Sequence, residues 1–482
     1  MKNNHNFKTL ALFFGLLTIP VAGNAASLLE IYQQALQSDP RIHEAEARRL
    51  AALEAEPQAR GVLLPQVSFS GDWTNTESSG PANFPDGLGG TLPGTSDSDA
   101  DNTSWTVSLR QTLFRWDQIV DLRRADKTVA KAEADREASQ QDLIVRVGQR
   151  YFDVLAAEDR LTSTHANRQA IARQLEQAKQ RFEVGLIAIT DVQESQAAHD
   201  QAVADEIAAK RSLATAREFL REITGQYVSN LSAPGEEFPM RTPNPNSESA
   251  WVDLALSQNL VLVSSRLDEG LARDEISYRR NGHYPTVEFV ASTGSRKNEG
   301  LRTTRLDNDP TNAFDSSLDF ESDDDRIGIS VTVPLFAGGR TSSRVREAVY
   351  LHRAAREQLQ RVTRETERST RDAYLGVLSE MSRVEALEQA VKSSRTALEA
   401  TQAGFDVGTR TIVDVLDSQF ALYRSITLFY QARYDYLMNV LRLKQAAGNL
   451  QIQDLEEIDQ WLMDRKTPED VFAEEAAAAS ST

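Results

Sequence analysis

The feature that most constrains this chain is an internal duplication. The sixteen-residue segment RFEVGLIAITDVQESQ at residues 181–196 recurs 223 positions later as GFDVGTRTIVDVLDSQ at residues 404–419, with eight identical positions. Other matched segments keep nearly the same offset, so residues 26–231 and 250–450 are two copies of one unit. We therefore expect the chain to contain the same arrangement of helices and strands twice.

The segments outside the two copies have compositions of their own. Residues 1–25 begin with basic residues, continue through an apolar stretch at 11–21 and end in small residues, which predicts a secretory signal peptide. Residues 232–249 are rich in proline and serine and are predicted to connect the copies. Residues 451–482 form a C-terminal segment whose acidic, Ala-rich end we expect to be a disordered tail.

Composition excludes several classes of function. The chain has no cysteine, so it forms no disulfide and binds no metal through thiolates. Its net charge of −18 argues against nucleic acid as a partner, because a polyanion would be repelled. The sequence contains no GxSxG, HExxH or GxxxxGK motif, and no two of its six histidines have ligand spacing. We therefore expect neither an enzyme nor a bound cofactor or metal.

Each copy contains two segments of roughly 10 residues in which apolar and polar side chains alternate. This pattern is typical of strands in an outer-membrane β-barrel, and it is also compatible with an ordinary half-buried sheet. Residues 75–103 and 295–325 are polar and rich in Gly, Pro, Ser and Asp, so we predict long loops there, with solvated acidic runs favoured over a cation site. The four predicted strands lie at 66–73, 105–113, 286–292 and 327–335.

Four strands cannot close a barrel, and an open sheet edge is not tolerated in lipid. If these strands lie in a membrane, several copies of the chain must contribute to one barrel. Two copies would give eight strands and a lumen filled by side chains, whereas three would give twelve and an open lumen. The small polar residues on the second face favour three copies.

Residues 117–183 and 338–405 contain no proline and predict two helices of about 100 Å each. Apolar residues spaced by seven indicate coiled-coil packing, which Arg168 interrupts in the first copy. The remaining surface is rich in Ala, Gln, Arg and Glu, which favours a hollow, water-lined assembly of helices over a solid bundle. The repeating positions in the second copy are Val384, Val391, Leu398 and Phe405.

Four segments of the sequence resemble the outer membrane efflux protein family: LLPQVSFSGDW, RFEVGLIAITDVQ, AGFDVGTRTIVDVLDSQ and ARYDYLMNVLRLKQAAGNL. The resemblance implies an α+β membrane protein that forms a homotrimer in the outer membrane. Three chains would share a 12-stranded β-barrel, four strands from each, continued by a 12-helix periplasmic α-barrel with an equatorial belt. The implied partners are outer-membrane lipid, a periplasmic adaptor protein, and an inner-membrane efflux pump or ABC exporter.

The resemblance also implies a channel constriction at Asp414 and Asp417. Residues three apart share a helix face, so three chains would point six carboxylates into a narrow opening and favour cations. Two other interpretations of Asp414 stay open. Thr411 and Asp414 match a helix-capping pair, and Arg410 four residues earlier could form a local ion pair.

The family's closed end is held by polar links between helix hairpins. The resemblance assigns these links to Arg410, Thr190 and Asp191, and to a tyrosine that is replaced here by Phe405, which has no hydroxyl to donate.

Two glycine turns, Gly185-Leu186 and Gly408-Thr409, end the long helices. The resemblance implies that they also dock the adaptor, although a simple helix-ending role would explain the glycines as well.

The favoured function is a passive exit duct for tripartite drug efflux and type I protein secretion. The alternative is a trimeric coiled-coil surface structure, such as an adhesin, without transport. The duplicated hairpin argues against this alternative, because a stalk has no need to return twice to the same end.

Overall fold

The structure is a computed structural model that describes residues 25–85, 90–228, 230–235, 239–307 and 309–465. The predicted signal peptide, apart from Ala25, and the predicted tail after residue 465 lie outside the described residues. The helices are α1 (Leu28–Ser38), α2 (Pro40–Leu53), α3 (Ala55–Gly61), α4 (Trp116–Glu183), α5 (Ile189–Thr224), α6 (Glu248–Gln258), α7 (Leu260–Arg280), α8 (Arg340–Asp406), α9 (Ile412–Ala447) and α10 (Ile452–Asp459). The strands are β1 (Gln66–Pro85), β2 (Thr91–Phe114), β3 (Ala233–Pro234), β4 (Thr286–Leu306), β5 (Asp309–Ser317), β6 (Phe320–Thr332) and β7 (Leu462–Met463).

The predicted α+β class is confirmed, and the long helices α4 and α8 lie within two residues of their predicted limits. The chain divides into two compact units. One comprises residues 43–139 and 256–368 and contains the main sheet. The other comprises the described residues within 25–42, 140–255 and 369–465 and contains the helix hairpins with the chain connector.

The main sheet is antiparallel, and β1, β2 and β4 are neighbours in that order. β6 and β5 both pair with the second edge of β4, β6 along Thr286–Asn298 and β5 along Leu301–Leu306. They are therefore two pieces of one strand, interrupted at residues 318–319. The sheet has four strand positions, as the alternating pattern predicts.

The prediction of long loops at 75–103 and 295–325 is wrong for most of these residues. β1 and β2 pair continuously from Gln66↔Arg110 to Pro85↔Thr91, and β4 continues through Leu306. Their polar side chains bond across the strands: Ser79 donates to Asp97 at 2.5 Å, and Arg305 pairs with Asp97 at 2.6 Å. Cross-strand polar pairs and the backbone ladder hold these strands without burying apolar residues, and a rule based on apolar alternation overlooks them.

One face of the sheet carries exposed apolar side chains. Phe69 and Trp73 on β1 are 71% and 69% exposed, and Ile327 on β6 is 76% exposed. Within the described part of the chain, no helix is long and apolar enough to cross a membrane. A sheet with one uncovered apolar face requires an apolar environment that this chain alone does not supply.

In the helical unit, α8 packs on α9 through the predicted seven-residue stripe. Val384 and Phe405 are buried, and Leu398 packs against the cluster formed by Phe405, Ile412 and Val415. The side chains of Ser418 and Thr401 hydrogen-bond across the two helices at 3.2 Å. The stripe therefore packs on α9 near the turn, and a coiled coil along the rest of this hairpin stays a prediction.

The interruption at Arg168 has a partner on the neighbouring helix. Glu206 of α5 is buried and accepts from Arg168, from Lys210 at 2.8 Å and from His165 at 3.2 Å. Burial opposes ionisation, yet the hydrogen bonds from Lys210 and His165 and the charge of Arg168 lower the pKa of Glu206 to about 2. A buried carboxylate that is paired with two cations and hydrogen-bonded by a histidine defines the register of α4 and α5, since a slip of one residue would leave it unpaired.

The connector and the C-terminal segment meet beside the helices. β3 pairs with β7, and the hydroxyl of Tyr436 accepts from the backbone N–H of Arg241 at 2.9 Å. The buried carboxylate of Asp159 on α4 accepts from Tyr434 at 2.6 Å and forms an ion pair with Arg465. Arg465, at the end of the described chain, therefore supplies the positive charge that pairs with the buried Asp159 of α4.

Candidate functional site at the two hairpin ends

The two hairpins end in the same backbone motif. In the first, the N–H of Leu186 donates to the carbonyl of Arg181 at 2.8 Å, and Gly185 has φ +76°. In the second, the N–H of Thr409 donates to Gly404 at 2.8 Å, and Gly408 has φ +79°. These are Schellman endings, which satisfy the last helical carbonyls and favour glycine at the left-handed position.

Each turn exposes apolar side chains next to its glycine. Val184 and Leu186 are 70% and 73% exposed in the first turn, and Val407 is 75% exposed in the second. Apart from the glycine and its two chain neighbours, no described heavy atom lies within 4 Å of the position that a Cβ would take on either glycine. The turns are therefore open surfaces bearing apolar groups, which a helix-ending role alone does not require.

The second hairpin begins α9 with a complete capping box. The Thr411 hydroxyl accepts from the Asp414 N–H at 3.3 Å, and the Asp414 carboxylate accepts from the Thr411 N–H at 2.9 Å. Hydrogen bonds from Thr411 and the charge of Arg410 lower the pKa of Asp414 below its usual value. Asp414 thus stabilises the helix start, in agreement with the capping interpretation.

The first hairpin lacks this box. Ala188 occupies the position of Thr411 and makes no side-chain cap on α5. Asp191, the counterpart of Asp414, has no side-chain partner within the described chain, and the exposed hydroxyl of Thr190 has none there either. The duplicated aspartate therefore serves the helix start in one copy and is unengaged in the other.

Arg410 and Asp417 likewise have no side-chain hydrogen bond or ion pair within the described residues, although the charge of Arg410 helps to lower the pKa of Asp414. Across the residues that the structure describes, the Arg410 side chain forms no ion pair, so the local pair with Asp414 is not formed. Asp417 is exposed one turn after Asp414. The structure therefore does not bring Arg410 to Asp191 within one chain, and it leaves both groups available to another molecule.

Phe405 is the one predicted gate residue that the structure brings against the other hairpin. Its ring is 9% exposed and lies beneath the guanidinium of Arg181, whose Cζ is 4.7 Å from the ring centroid. Arg181 also donates to Asp406 at 3.2 Å. Sequence reasoning missed Arg181 and Asp406, although each stands within four residues of its glycine.

A duplicated pair of helix hairpins with open ends, joined to a sheet with an exposed apolar face, defines the class of outer-membrane channel proteins with helical extensions. The chain belongs to the outer membrane efflux protein family, whose model matches residues 31–226 and 251–449, the two copies of the repeat. It is 37% identical to the outer membrane protein TolC of Vibrio cholerae over 94% of this chain and 98% of that one. It is 29% identical to the alkaline protease secretion protein AprF of Pseudomonas aeruginosa over 92% of this chain and 89% of that one.

Solved structures share the fold at lower identity. The Campylobacter jejuni CmeC outer membrane channel superposes with a TM-score of 0.70 at 15% identity, covering 96% of this chain and 98% of that one. VceC of Vibrio cholerae superposes with a TM-score of 0.68 at 20% identity, covering 87% of this chain and 96% of that one. This chain is accordingly an outer-membrane protein of the efflux family.

Proposed function

We propose that this chain forms the outer-membrane exit duct of tripartite drug-efflux and type I secretion systems, as a passive channel. The relatives support both kinds of export, since one is named a protease secretion protein and the family is named for efflux. The observation that carries the proposal is the main sheet, whose apolar face is exposed and whose two edges, β1 and β5–β6, are unpaired within the described chain.

A homotrimer would satisfy the sheet. Four strand positions per chain give twelve in three copies, enough for a closed barrel with an open lumen. Closure would pair both edges, and outer-membrane lipid would cover the apolar face around Phe69 and Ile327. The helix hairpins of three chains would continue the duct into the periplasm, with the connector and the C-terminal segment forming the belt.

The gate would be formed between copies at the hairpin ends. Arg410 and Asp191 are opposite charges that form no ion pair within the described part of one chain, and their pairing between neighbouring chains would hold the end closed. Thr190, beside Asp191, would accept or donate a further hydrogen bond. Asp414 and Asp417 from three chains would form the constriction and favour cations.

The open turns would dock a periplasmic adaptor through Leu186 and Thr409 and the two glycines, Gly185 and Gly408. Their exposed apolar neighbours supply the contact area that a helix end does not need. The sequence contains no phosphate-binding motif, so the adaptor would link the duct to an energised inner-membrane efflux pump or ABC exporter.

The absence of native cysteine allows a direct test of the inter-chain gate. In cells expressing the double variant Asp191→Cys, Arg410→Cys, mild oxidation should give a covalent trimer on non-reducing gels. The single variants are the controls and should stay monomeric. In a planar bilayer, the oxidised double variant should conduct less than after reduction.

Crosslinking confined to single chains would contradict the gate, because the proposed pair lies between copies. Absence of conductance from the wild-type protein would contradict the duct itself. The latter result would favour the alternative, a surface stalk without transport.

A further inference from the structure

A groove of about 1200 Å³ lies in the helical unit, away from the hairpin ends. Its base is α4, from Arg150 to Asn167, and its walls are α5 and α9. Drug-sized ligands occupy pockets of roughly 300–1,000 Å³, so the groove has ample room for one such molecule.

Exposed apolar side chains line this groove. Ile207 and Phe219 on α5 are 63% and 44% exposed, and Phe420 on α9 is 55% exposed. Three large apolar groups facing one concave surface are uncommon on a water-exposed helical wall, where single exposed residues are the norm. The groove therefore offers a surface to an apolar body.

Four arginines line the same surface, and Arg150 is the one among them that pairs with a carboxylate within the described residues, Asp153 at 3.6 Å. Arg160, Arg211 and Arg424 all line the groove, and none forms an ion pair within the described residues. The carboxylates that line it are engaged, since Asp153 accepts from Gln149 at 2.7 Å and Asp205 accepts from Gln201 at 3.0 Å. With four arginines against two aspartates in its lining, the groove has a local excess of positive charge in a chain of net charge −18.

The groove lies on the inner side of the helical wall if the proposed duct is correct. Tyr151 on α4 donates to the carbonyls of Ala26 and Ser232, which places the connector on that face of the helix. Arg160 follows nine residues later, or about 2.5 turns, and so lies on the opposite face. In the proposed duct the connector forms the outer belt, so the groove would face the lumen.

We propose that this groove is a lumenal binding site for anionic amphiphiles, small molecules with an apolar body and a carboxylate or sulfonate. The apolar body would pack on Phe219, Phe420 and Ile207, and the anionic head would accept hydrogen bonds from the arginines. The groove would hold passing cargo of this class in a duct whose constriction favours cations. This inference rests on the proposed function for the direction of the groove, and on the described side chains for its chemistry.

The test uses the full chain in nanodiscs of uncharged phosphatidylcholine, titrated calorimetrically with deoxycholate below its micellar concentration. Empty nanodiscs give the blank, and dodecyltrimethylammonium is the cationic comparison. The triple variant Arg160→Gln, Arg211→Gln, Arg424→Gln should bind deoxycholate about tenfold more weakly. The matched control is Arg395→Gln, which changes an exposed arginine of α8 that forms no ion pair within the described residues, and it should bind as wild type.

Equal binding by the triple variant and wild type, or equal binding of the cationic amphiphile, would overturn the site. Displacement of deoxycholate by a helical acidic peptide at lower concentration would also overturn it, in favour of a protein partner. If the triple variant fails to assemble, the three single variants replace it, and each should weaken binding.

Channel recording distinguishes a failure of the proposed binding site from a failure of the proposed duct. Deoxycholate should reduce the current of the wild-type channel, and the triple variant should need about tenfold more. A channel that conducts normally but shows no such sensitivity would contradict only the groove. A protein that does not conduct at all would contradict the proposed function.

Discussion

Arg181 covers the ring of Phe405 at 4.7 Å and donates to Asp406 at 3.2 Å, which joins the end of one hairpin to the end of the other within a single chain. Phe405 has no hydroxyl to donate, and it is held through its ring face. A cation above an aromatic ring contributes about 0.5–1 kcal/mol at an exposed site, and an exposed ion pair contributes about the same.

We therefore predict that Arg181→Gln loosens the hairpin ends and increases the open fraction of the channel about fivefold. Single-channel recording in a planar bilayer provides the measurement. Because the Arg181–Asp406 ion pair is exposed, high salt should increase the opening of wild type more than that of the variant. Arg173→Gln, two turns earlier on α4, is the control; an identical gain from this control would remove Arg181 from the gate.

A second prediction concerns Arg410. Replacing it with serine removes the cation that we place opposite Asp191 of a neighbouring chain, and single-channel conductance should rise. Asp191→Asn should have a similar effect. If the two residues form one pair, the double variant should add little to either single variant. Effects that simply add would show that the two residues act separately.

A third prediction separates charge from capping at the constriction. Asp414→Asn keeps an oxygen that can accept from the Thr411 N–H, so α9 should retain its start while one charge per chain is lost. Asp417→Asn should likewise reduce cation selectivity, measured as the reversal potential in a salt gradient. Glu399→Gln, an exposed change on α8, should leave the reversal potential unchanged.

The capping role of Asp414 gives a matching expectation for pH. Its pKa is lowered in the folded chain, so its contribution is complete above the usual carboxyl value and is lost as pH falls through the lowered value. Asp414→Ala should reduce the thermal stability of the hairpin at neutral pH, whereas Asp417→Ala should not. Equal loss from both variants would contradict the capping role.

A fourth prediction concerns the buried charge of Glu206. Its pKa falls from 4.5 to about 2 on folding, so stability should decline as pH drops from about 4.5 toward 2. Glu206→Gln should flatten this dependence. Glu206→Ala should cost about 3 kcal/mol at neutral pH, because it leaves Arg168 and Lys210 without their shared anion. Thermal melts of the detergent-solubilised protein at a series of pH values would measure both.

The sequence predicted the parts of the fold that depend on repetition and periodicity. The offset of the two copies, the limits of α4 and α8 and the Val384–Phe405 stripe follow from patterns that a single chain displays. The polar halves of β1, β2 and β4 did not follow, because cross-strand pairs such as Ser79 with Asp97 leave no apolar alternation to detect.

At the hairpin ends, interactions between residues close in the sequence could be predicted, whereas contacts between different helices could not. Thr411 and Asp414 are three residues apart, so their capping box is visible as a motif. The partners of Arg181 and Glu206 lie on other helices, and only the folded hairpins bring them within reach. The position of Arg168 inside an otherwise apolar repeat was the one feature of the sequence that indicated a buried partner for it.

Because Ala188 provides no side-chain cap, the two hairpin ends are not interchangeable. A chimaera with the second hairpin end in both places would cap both helices with threonine and aspartate. It would then have no uncapped aspartate left to pair with an arginine of a neighbouring chain. If the proposed gate is correct, divergence after duplication has given one inherited aspartate two different roles, and a ring of six similar hairpins would be held closed at only three points.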